Sequence, residues 1–363
     1  MDLNVLVLPG DGIGPEVTRE AVKVLETVAA LAGHRLDTAE GLIGGAALAA
    51  TGEPLPPETR ARAGTAGAVL LGAVGSPEFD SLPPDRRPER GLLDLRQAMG
   101  VYANLRPVRA WASLAGASPL KDGVVTGTDL LIVRELTGGL YYGRPRGLFG
   151  DGPTAEAVNT MQYSYGEVER VARIAFAGAR RRRGRITSVD KSNVLECSRL
   201  WRRVVEDVAA DFPDVGLEHM LVDTCAMQLI LNPGRFDVLL TENMFGDILS
   251  DEAAVLAGSI GLLASASLGD ISPGGGRAGL FEPVHGSAPD LAGRGAANPL
   301  GAIGSAAALL RFSFGLAREA DAVERAIGAV IAAGVLTADL RPDRPAGTAA
   351  VGDAVCAALR RAA

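Results

Sequence analysis

Short apolar runs alternate with longer helical patterns along most of the chain, and this alternation restricts the possible folds more than any other feature. The segment 4–10, NVLVLPG, predicts a buried strand. The segment 15–33 predicts a helix with a proline in its first turn and a glycine just past its end. Further strands are predicted at 68–75, at 129–136 and within the segments ITSVDK and FDVLLT. Strands that alternate with helices indicate an α/β fold with a largely parallel sheet.

The turn between the first predicted strand and helix, LPGDGIGPE, bears on nucleotide binding. Its glycines, Gly10, Gly12 and Gly14, have the spacing G-x-G-x-G, and Pro15 follows directly. The dinucleotide fingerprint of Rossmann folds needs its third glycine one residue later, for close packing of helix on strand. The sequence therefore argues against a Rossmann fold, although the turn bares backbone that a ligand could contact.

Composition and charge exclude several classes of protein. The chain of 363 residues is 47% hydrophobic with a net charge of −7, which argues against a phosphate-backbone ligand, so no nucleic-acid partner is expected. The arginine run at 179–185 is better explained as the basic end of a helix. Three scattered cysteines predict free thiols in a reducing compartment. The longest uncharged stretch, 253–269, is short for a membrane span and no signal peptide is evident, so a cytoplasmic protein is expected.

Two aspartates, Asp247 and Asp251, lie four residues apart in the helical segment TENMFGDILSDEAAVLAG. Like charges at this spacing destabilise a helix by a few tenths of a kcal/mol. Either water solvates the pair on an open helix face, or a cation binds between the two carboxylates. The residues alone leave both explanations open.

Three arginines and one lysine are candidates for binding and proton transfer. Arg96, Arg106 and Arg134 could each bind a carboxylate through two parallel hydrogen bonds, or form a surface ion pair. Arg134 is the better placed, because it ends an apolar strand just before a Thr-Gly-Gly turn, where ligands of α/β folds bind. Lys191 ends another predicted strand, so it could act as a general base or remain a solvated side chain.

The segment 281–299, FEPVHGSAPDLAGRGAANP, combines an imidazole, a bare backbone, a hydroxyl and a carboxylate. Asp290 could accept hydrogen bonds from a ribose diol, which would favour NAD over NADP because the carboxylate repels a 2′-phosphate. Asn298 is placed to cap the next helix. The alternative is an ordinary polar surface loop.

Taken together, the motifs VLPGDGIGPEV, ANLRP, VRELTGG, NMFGDILSDEA and FEPVHGSAPDLAG resemble those of the isocitrate/isopropylmalate family of β-decarboxylating dehydrogenases, from residue 7 to about residue 316. The resemblance implies an α/β, isopropylmalate-dehydrogenase-like fold of two domains, with a central twisted mixed sheet flanked by helices, and not a Rossmann fold. The first domain would comprise residues 1–101 and 258–363, and would bind the cofactor. The second, 102–257, would carry substrate and metal residues and the contacts of a homodimer with shared active sites.

The resemblance also implies residue roles. The catalytic residues would be Tyr141 and Lys191, the lysine reaching across from the other subunit. The substrate would be bound by Leu92, Arg96, Arg106, Arg134 and Asp223. The metal ligands would be Asp247, Asp251 and an Asp223 that also crosses over, and oxygen-only ligands indicate Mg²⁺ or Mn²⁺. The positions near NAD would be Ile13, Gly75 and Glu89 for the nicotinamide half, and His285, Gly286, Ser287, Ala288, Asp290 and Asn298 for the adenosine half.

The turn before Arg96 bears on substrate choice, since Leu92 and Leu93 stand where isocitrate enzymes of the family carry polar residues. An apolar side chain favours the isopropyl group of 3-isopropylmalate over the extra carboxylate of isocitrate. The expected reaction is NAD-dependent oxidative decarboxylation of 3-isopropylmalate to 4-methyl-2-oxopentanoate, in leucine biosynthesis. D-malate, tartrate and other 3-alkylmalates remain alternative substrates. A catalytically silent paralogue would tend to lack the lysine, the tyrosine or a metal aspartate, and all are present. The Gly-rich loop at 270–280 has no predicted chemistry.

Overall fold

The computed structural model describes residues 1–271 and 276–362, and its backbone divides into two units. The first unit comprises Met1–Val101 with Ala257–Ala363, and the second comprises Tyr102–Leu256. The central part of the Gly-rich loop, 272–275, lies outside the described residues.

Twelve β-strands and twelve α-helices are assigned within the described part of the chain. The strands are β1 (Asp2–Gly10), β2 (Arg35–Glu40), β3 (Ala68–Ala73), β4 (Ala103–Arg109), β5 (Asp129–Glu135), β6 (Gly147–Phe149), β7 (Glu156–Val158), β8 (Arg185–Asp190), β9 (Gly216–Leu221), β10 (Val238–Thr241), β11 (Ala264–Ile271) and β12 (Arg277–Pro283). The helices are α1 (Gly14–Ala32), α2 (Gly44–Thr51), α3 (Pro57–Thr65), α4 (Pro88–Met99), α5 (Asp122–Val125), α6 (Tyr165–Arg180), α7 (Glu196–Ala209), α8 (Val222–Leu231), α9 (Asn243–Ala254), α10 (Leu300–Phe312), α11 (Ala317–Ala332) and α12 (Thr348–Ala362).

In the first unit the strands follow the order β2-β1-β3-β12-β11. Every neighbouring pair is parallel except β11 and β12, which are antiparallel. Both Leu6 and Leu8 on one face of β1 and Val5 and Val7 on the other are buried, so helices cover this strand on both sides. Leu6 and Leu8 pack into a cluster with side chains of α3, α4 and β3.

In the second unit the order is β4-β5-β10-β8-β9, with only β4 antiparallel to its neighbour. Helices α6, α7 and α9 pack along these strands. A separate antiparallel pair, β6 and β7, exposes Leu148 and Phe149. The three-residue strands of this pair have no apolar periodicity that the sequence could reveal.

The structure confirms the α/β fold with largely parallel strands that the alternation of strands and helices predicts, and the mixed sheet that the resemblance implies. Helix α1 has Pro15 in its first turn, and Gly33 ends it in the left-handed conformation at φ 70°. Cys197, Cys225 and Cys356 are free thiols, two of them buried. Within the described ranges, no helix combines the length and the apolar character that crossing a membrane requires.

Candidate active site

Helix α9 presents the two aspartates, and a carboxylate fixes where this helix begins. Glu242 follows β10 and accepts hydrogen bonds from the backbone N–H groups of Met244 (3.1 Å) and Phe245 (2.5 Å). A carboxylate at this position satisfies free N–H groups and interacts favourably with the positive end of the helix dipole. Asp247 and Asp251 therefore extend from a helix whose start is anchored at a strand end.

Two arginines from neighbouring strands offset the negative charge of the aspartates. Arg134 on β5 is 4% exposed and donates from Nη1 to Oδ1 of Asp247. Arg106 on β4 donates from Nη1 to Oγ of Ser250 (2.7 Å) and to Oδ1 of Asp251 (3.3 Å). Asn104 lies directly opposite Arg134 in the β4–β5 ladder, so the side chains of Arg106 and Arg134 share one face. The two carboxylates on α9 are thus stabilised by neighbouring guanidinium groups and not by water alone.

Tyr141 completes this cluster. Its hydroxyl donates to Oδ2 of Asp247 (2.6 Å), and the guanidinium carbon of Arg134 lies 5.6 Å from the centre of its ring. Burial, together with the hydrogen bond to Asp247, raises the pKa of the Tyr141 phenol. Burial alone would raise the pKa of Asp247, but Arg134, Tyr141 and Arg106 outweigh it and lower that pKa. Near neutral pH the phenol is therefore a proton donor beside an ionised carboxylate.

Lys191 and Asp223 form a second cluster in the same unit. Lys191 follows β8, and its Nζ lies 2.5 Å from Oδ1 of Asp223 at the start of α8. The hydrogen bond from Lys191 lowers the pKa of Asp223. In the described part of the chain, no three His, Cys, Asp or Glu side chains are grouped to hold a metal. A single chain therefore does not bring Asp223 together with Asp247 and Asp251.

The remaining predicted substrate residues lie on α4 in the first unit. The Nη2 of Arg96 is 2.7 Å from Oε1 of Glu282, and its Nε is buried without a hydrogen-bond partner. Leu92 is half-buried and packs against the apolar cluster around Leu6 and Leu8. Arg96 thus keeps one buried donor that a ligand oxygen could satisfy.

The loop after β12 closes on the turn after β1. The N–H of Ile13 donates to the carbonyl of Ser287 (2.8 Å), and a Cβ on Gly12 would lie 1.9 Å from that carbonyl oxygen. Only glycine permits this approach. Ala288 adopts φ 37°, a left-handed conformation that costs a non-glycine residue about 1–3 kcal/mol. Strain of this kind concentrates at ligand sites, and this loop holds most of the predicted adenosine residues.

His285 is 8% exposed, and burial lowers its pKa, so the ring is neutral near pH 7. Its Nδ1 lies 2.9 Å from the carbonyl oxygen of Gly286 and therefore carries the proton, which leaves the buried Nε2 as an acceptor without a partner. Asp290 is exposed, whereas Asn298 accepts from the N–H of Leu300 (3.0 Å) at the start of α10, as its predicted capping position requires.

A cavity of about 300 Å³ opens beside this turn, and it contains a residue that sequence reasoning missed. Asp11 is 7% exposed, and its carboxylate accepts the N–H groups of Gly45, Ala46 and Gly75, each at 2.8 Å. A Cβ on Gly75 would be 3.1 Å from Oγ of Ser287 and 3.5 Å from Oε1 of the exposed Glu89. Asp11 thus ties three segments together around the cavity, and its place between two glycines was the only signal in the sequence.

Comparison with known proteins decides the family. Residues 4–355 match the family model described as isocitrate/isopropylmalate dehydrogenase. The chain belongs to this family. The 3-isopropylmalate dehydrogenase of Shouchella clausii is 55% identical over 361 residues, which are 99% of this chain and 98% of that protein. The enzyme of the same name from Aquifex aeolicus is 51% identical over 93% of this chain and 91% of its own length.

Solved structures agree on the fold. The isocitrate dehydrogenase of Methylococcus capsulatus is 36% identical with a TM-score of 0.84, over 98% of this chain and 99% of that one. A β-decarboxylating dehydrogenase of Thermococcus kodakarensis is 37% identical with a TM-score of 0.79, over 99% and 96%. The predicted family and the isopropylmalate-dehydrogenase-like fold are confirmed.

Proposed function

We propose that this protein catalyses the NAD-dependent oxidative decarboxylation of 3-isopropylmalate to 4-methyl-2-oxopentanoate, in leucine biosynthesis. The observation that carries the proposal is the cluster of Arg106, Arg134, Tyr141 and Asp247, which unites carboxylate-binding groups with a protonated phenol. Relatives named 3-isopropylmalate dehydrogenase, at 51–56% identity over nearly their full lengths, support the choice of substrate. The half-buried Leu92 supplies apolar surface suited to an isopropyl group.

The reaction has two chemical steps, and a different residue transfers the proton in each. In the first, Lys191 in its neutral amine form takes the proton of the substrate hydroxyl, while the carbon that bears this hydroxyl loses a hydride, which NAD⁺ accepts when bound. In the second, the carbon–carbon bond to the β-carboxylate breaks, its electron pair forms an enolate as carbon dioxide leaves, and Tyr141 protonates that enolate at carbon. Arg106 and Arg134 hold the substrate carboxylates until the β-carboxylate leaves as carbon dioxide. A divalent cation, when bound, polarises the hydroxyl or ketone oxygen and so favours both steps.

Asp247 and Asp251 fit a hard divalent cation. Both extend from α9 one turn apart, and the donors are carboxylate oxygens only, which Mg²⁺ and Mn²⁺ prefer. Two carboxylates are fewer than such a cation needs. We propose that Asp223 and Lys191 of a second copy complete the site in a homodimer. Exposed apolar side chains on α8, on α9 and directly after α9 support burial of these helices against another subunit, namely Met227, Ile230, Leu231, Ile248 and Val255.

The first unit fits NAD. The bare backbone around Gly12, the unpartnered acceptor Nε2 of His285 and the exposed carboxylate of Asp290 are donor and acceptor groups that an adenosine needs. We assign nucleotide binding to this unit, and the metal aspartates and dimer contacts to the second.

Replacing Asp290 by Lys is expected to reduce the preference for NAD⁺ over NADP⁺ at least about tenfold, because the change removes repulsion of a 2′-phosphate and adds attraction. The ratio of kcat/KM for the two cofactors measures the effect. Asp37→Lys, at an exposed position on β2, makes the same charge change outside the loop and should leave the ratio unaltered. An unchanged ratio in Asp290→Lys contradicts the assignment.

The substrate proposal is tested by the initial rate of NADH formation with 3-isopropylmalate beside D-malate, tartrate and isocitrate. We expect kcat/KM for 3-isopropylmalate to exceed the others by at least about tenfold. A preference for any of the other three acids overturns the assignment of the substrate.

A further inference from the structure

One buried amide connects the substrate arginine to the turn that carries the tyrosine. Asn243, 1% exposed, accepts at Oδ1 from Nε (3.0 Å) and Nη2 (2.8 Å) of Arg134. Its Nδ2 donates to the carbonyl of Gly138 (3.2 Å), directly before the turn Gly139–Tyr141. Only this orientation of the amide places its oxygen against the guanidinium and its nitrogen against the carbonyl.

Arg134 has five N–H groups. The two bonds to Asn243 and the bond to Asp247 use three of them and leave one on Nη1 and one on Nη2. Both remaining donors lie at the end of the guanidinium, where a substrate carboxylate can accept.

Tyr163 holds Asn243 in place through its backbone. Its hydroxyl accepts from the backbone N–H of Asn243 (3.0 Å) and donates to Oε2 of Glu242 (3.1 Å), the residue that caps α9. Burial, and then the nearby carboxylates of Glu242 and Glu135, raise the pKa of the Tyr163 phenol, so it keeps its proton. The hydroxyl therefore couples the start of α9 to the residue that orients Arg134.

The ring of Tyr163 also supports the turn itself. A Cβ on Gly138 would lie 2.5 Å from the ring carbon Cε1, and one on Gly139 would lie 2.5 Å from the hydroxyl oxygen. The N–H of Gly139 donates to the carbonyl of Gln162 (3.0 Å), the residue before Tyr163. The other edge of the ring meets Trp201, at 5.8 Å between ring centres. The turn thus packs directly against the ring, in space that a side chain at either glycine would fill.

We propose that Tyr163 and Asn243 are positioning residues that hold Arg134 and Tyr141 in register for a single substrate. The proposal rests on the proposed function, because that function supplies the carboxylate for Arg134 and the enolate for Tyr141. Neither residue touches the substrate. Tyr163 acts through Asn243 and through the turn at Gly138, so it affects both the binding of the substrate and the transfer of the final proton.

The test is Tyr163→Phe, which keeps the ring and removes only the hydroxyl. The N–H of Asn243 and one oxygen of Glu242 then lose a partner, and the amide that orients Arg134 shifts. Small displacements of reacting groups cost up to about a hundredfold in rate. We expect kcat to fall about tenfold to a hundredfold and KM for 3-isopropylmalate to rise at least about fivefold. KM for NAD⁺ should stay within about twofold, because the nucleotide loop belongs to the other unit. Calorimetric titration of 3-isopropylmalate without NAD⁺ should show the same weakening.

Tyr165→Phe is the matched control, since it removes another tyrosine hydroxyl, which bonds Asp207 at the surface (3.1 Å), and should leave all constants unchanged. Asn243→Ala removes the acceptor for Arg134 directly, and should raise KM for 3-isopropylmalate even if Tyr163→Phe fails to fold. The positioning role is overturned if Tyr163→Phe keeps wild-type constants. It is also overturned if KM rises equally for 3-isopropylmalate and NAD⁺ while Tm falls. Neither result affects the proposed function. Absence of wild-type turnover of 3-isopropylmalate overturns both this role and the proposed function.

Discussion

Replacement of Lys191 by Met is expected to lower kcat for 3-isopropylmalate by at least about a thousandfold. Methionine keeps most of the apolar stem of lysine but has no nitrogen to take the hydroxyl proton. In the structure Lys191 has a defined place, because Nζ is held 2.5 Å from Asp223 and its backbone N–H donates to Oγ of Ser198 (3.0 Å). Steady-state NADH formation measures the loss, and fluorescence titration with NADH should show unchanged nucleotide binding.

Lys121→Met is the matched control, because it makes the same change at an exposed lysine at the start of α5. Its kcat should equal that of the wild type within about twofold. If Lys191→Met retains wild-type activity, Lys191 is not the base. If it loses nucleotide binding as well, the residue supports the fold rather than proton transfer.

Removal of divalent cations by a chelator is expected to abolish NADH formation, and added Mn²⁺ or Mg²⁺ should restore it. The physical reason is that expulsion of carbon dioxide leaves negative charge on the former ketone oxygen, which the arginines alone would not stabilise enough. Asp251→Asn removes one anionic ligand from α9, and should raise the Mn²⁺ concentration for half-maximal activity at least about tenfold. Calorimetric titration with Mn²⁺ should show the same weakening in the absence of substrate.

Glu252→Gln neutralises the neighbouring carboxylate on the same helix, and should leave the Mn²⁺ dependence unchanged. Full activity of the chelator-treated enzyme without added metal would exclude a metal-dependent reaction. Equal Mn²⁺ dependence in Asp251→Asn and the wild type would remove Asp251 from the set of ligands.

Local signals in the sequence predict the fold well. The first strand and helix lie where the apolar run, Pro15 and Gly33 place them, and Arg134 lies one residue before the end of β5, close to its predicted place. Such features depend on residues within one or two turns of one another, so they can be read without tertiary contacts. Strands β6 and β7 escape prediction, because each has three residues and pairs through backbone groups alone.

The candidate site is less predictable, because its hydrogen bonds join residues far apart in the chain. Asp247 and Asp251 alone left both a solvated face and a cation site open, with the solvated face favoured. The arginines that approach them come from β4 and β5, more than a hundred residues earlier. Asn243 has no local pattern, and Asp11 has only its place between two glycines, since the partners of both residues are set by which strand ends meet. The catalytic and metal-binding roles assigned to Lys191 and Asp223 rest on resemblance and stay predictions.

This enzyme is expected both to oxidise and to decarboxylate 3-isopropylmalate, and the most direct test counts both products in one reaction. NADH is followed by absorbance while carbon dioxide released from 3-isopropylmalate labelled in its β-carboxylate is trapped. The proposed chemistry predicts one carbon dioxide per NADH throughout the reaction. NADH without carbon dioxide, or neither product from 3-isopropylmalate, would contradict it.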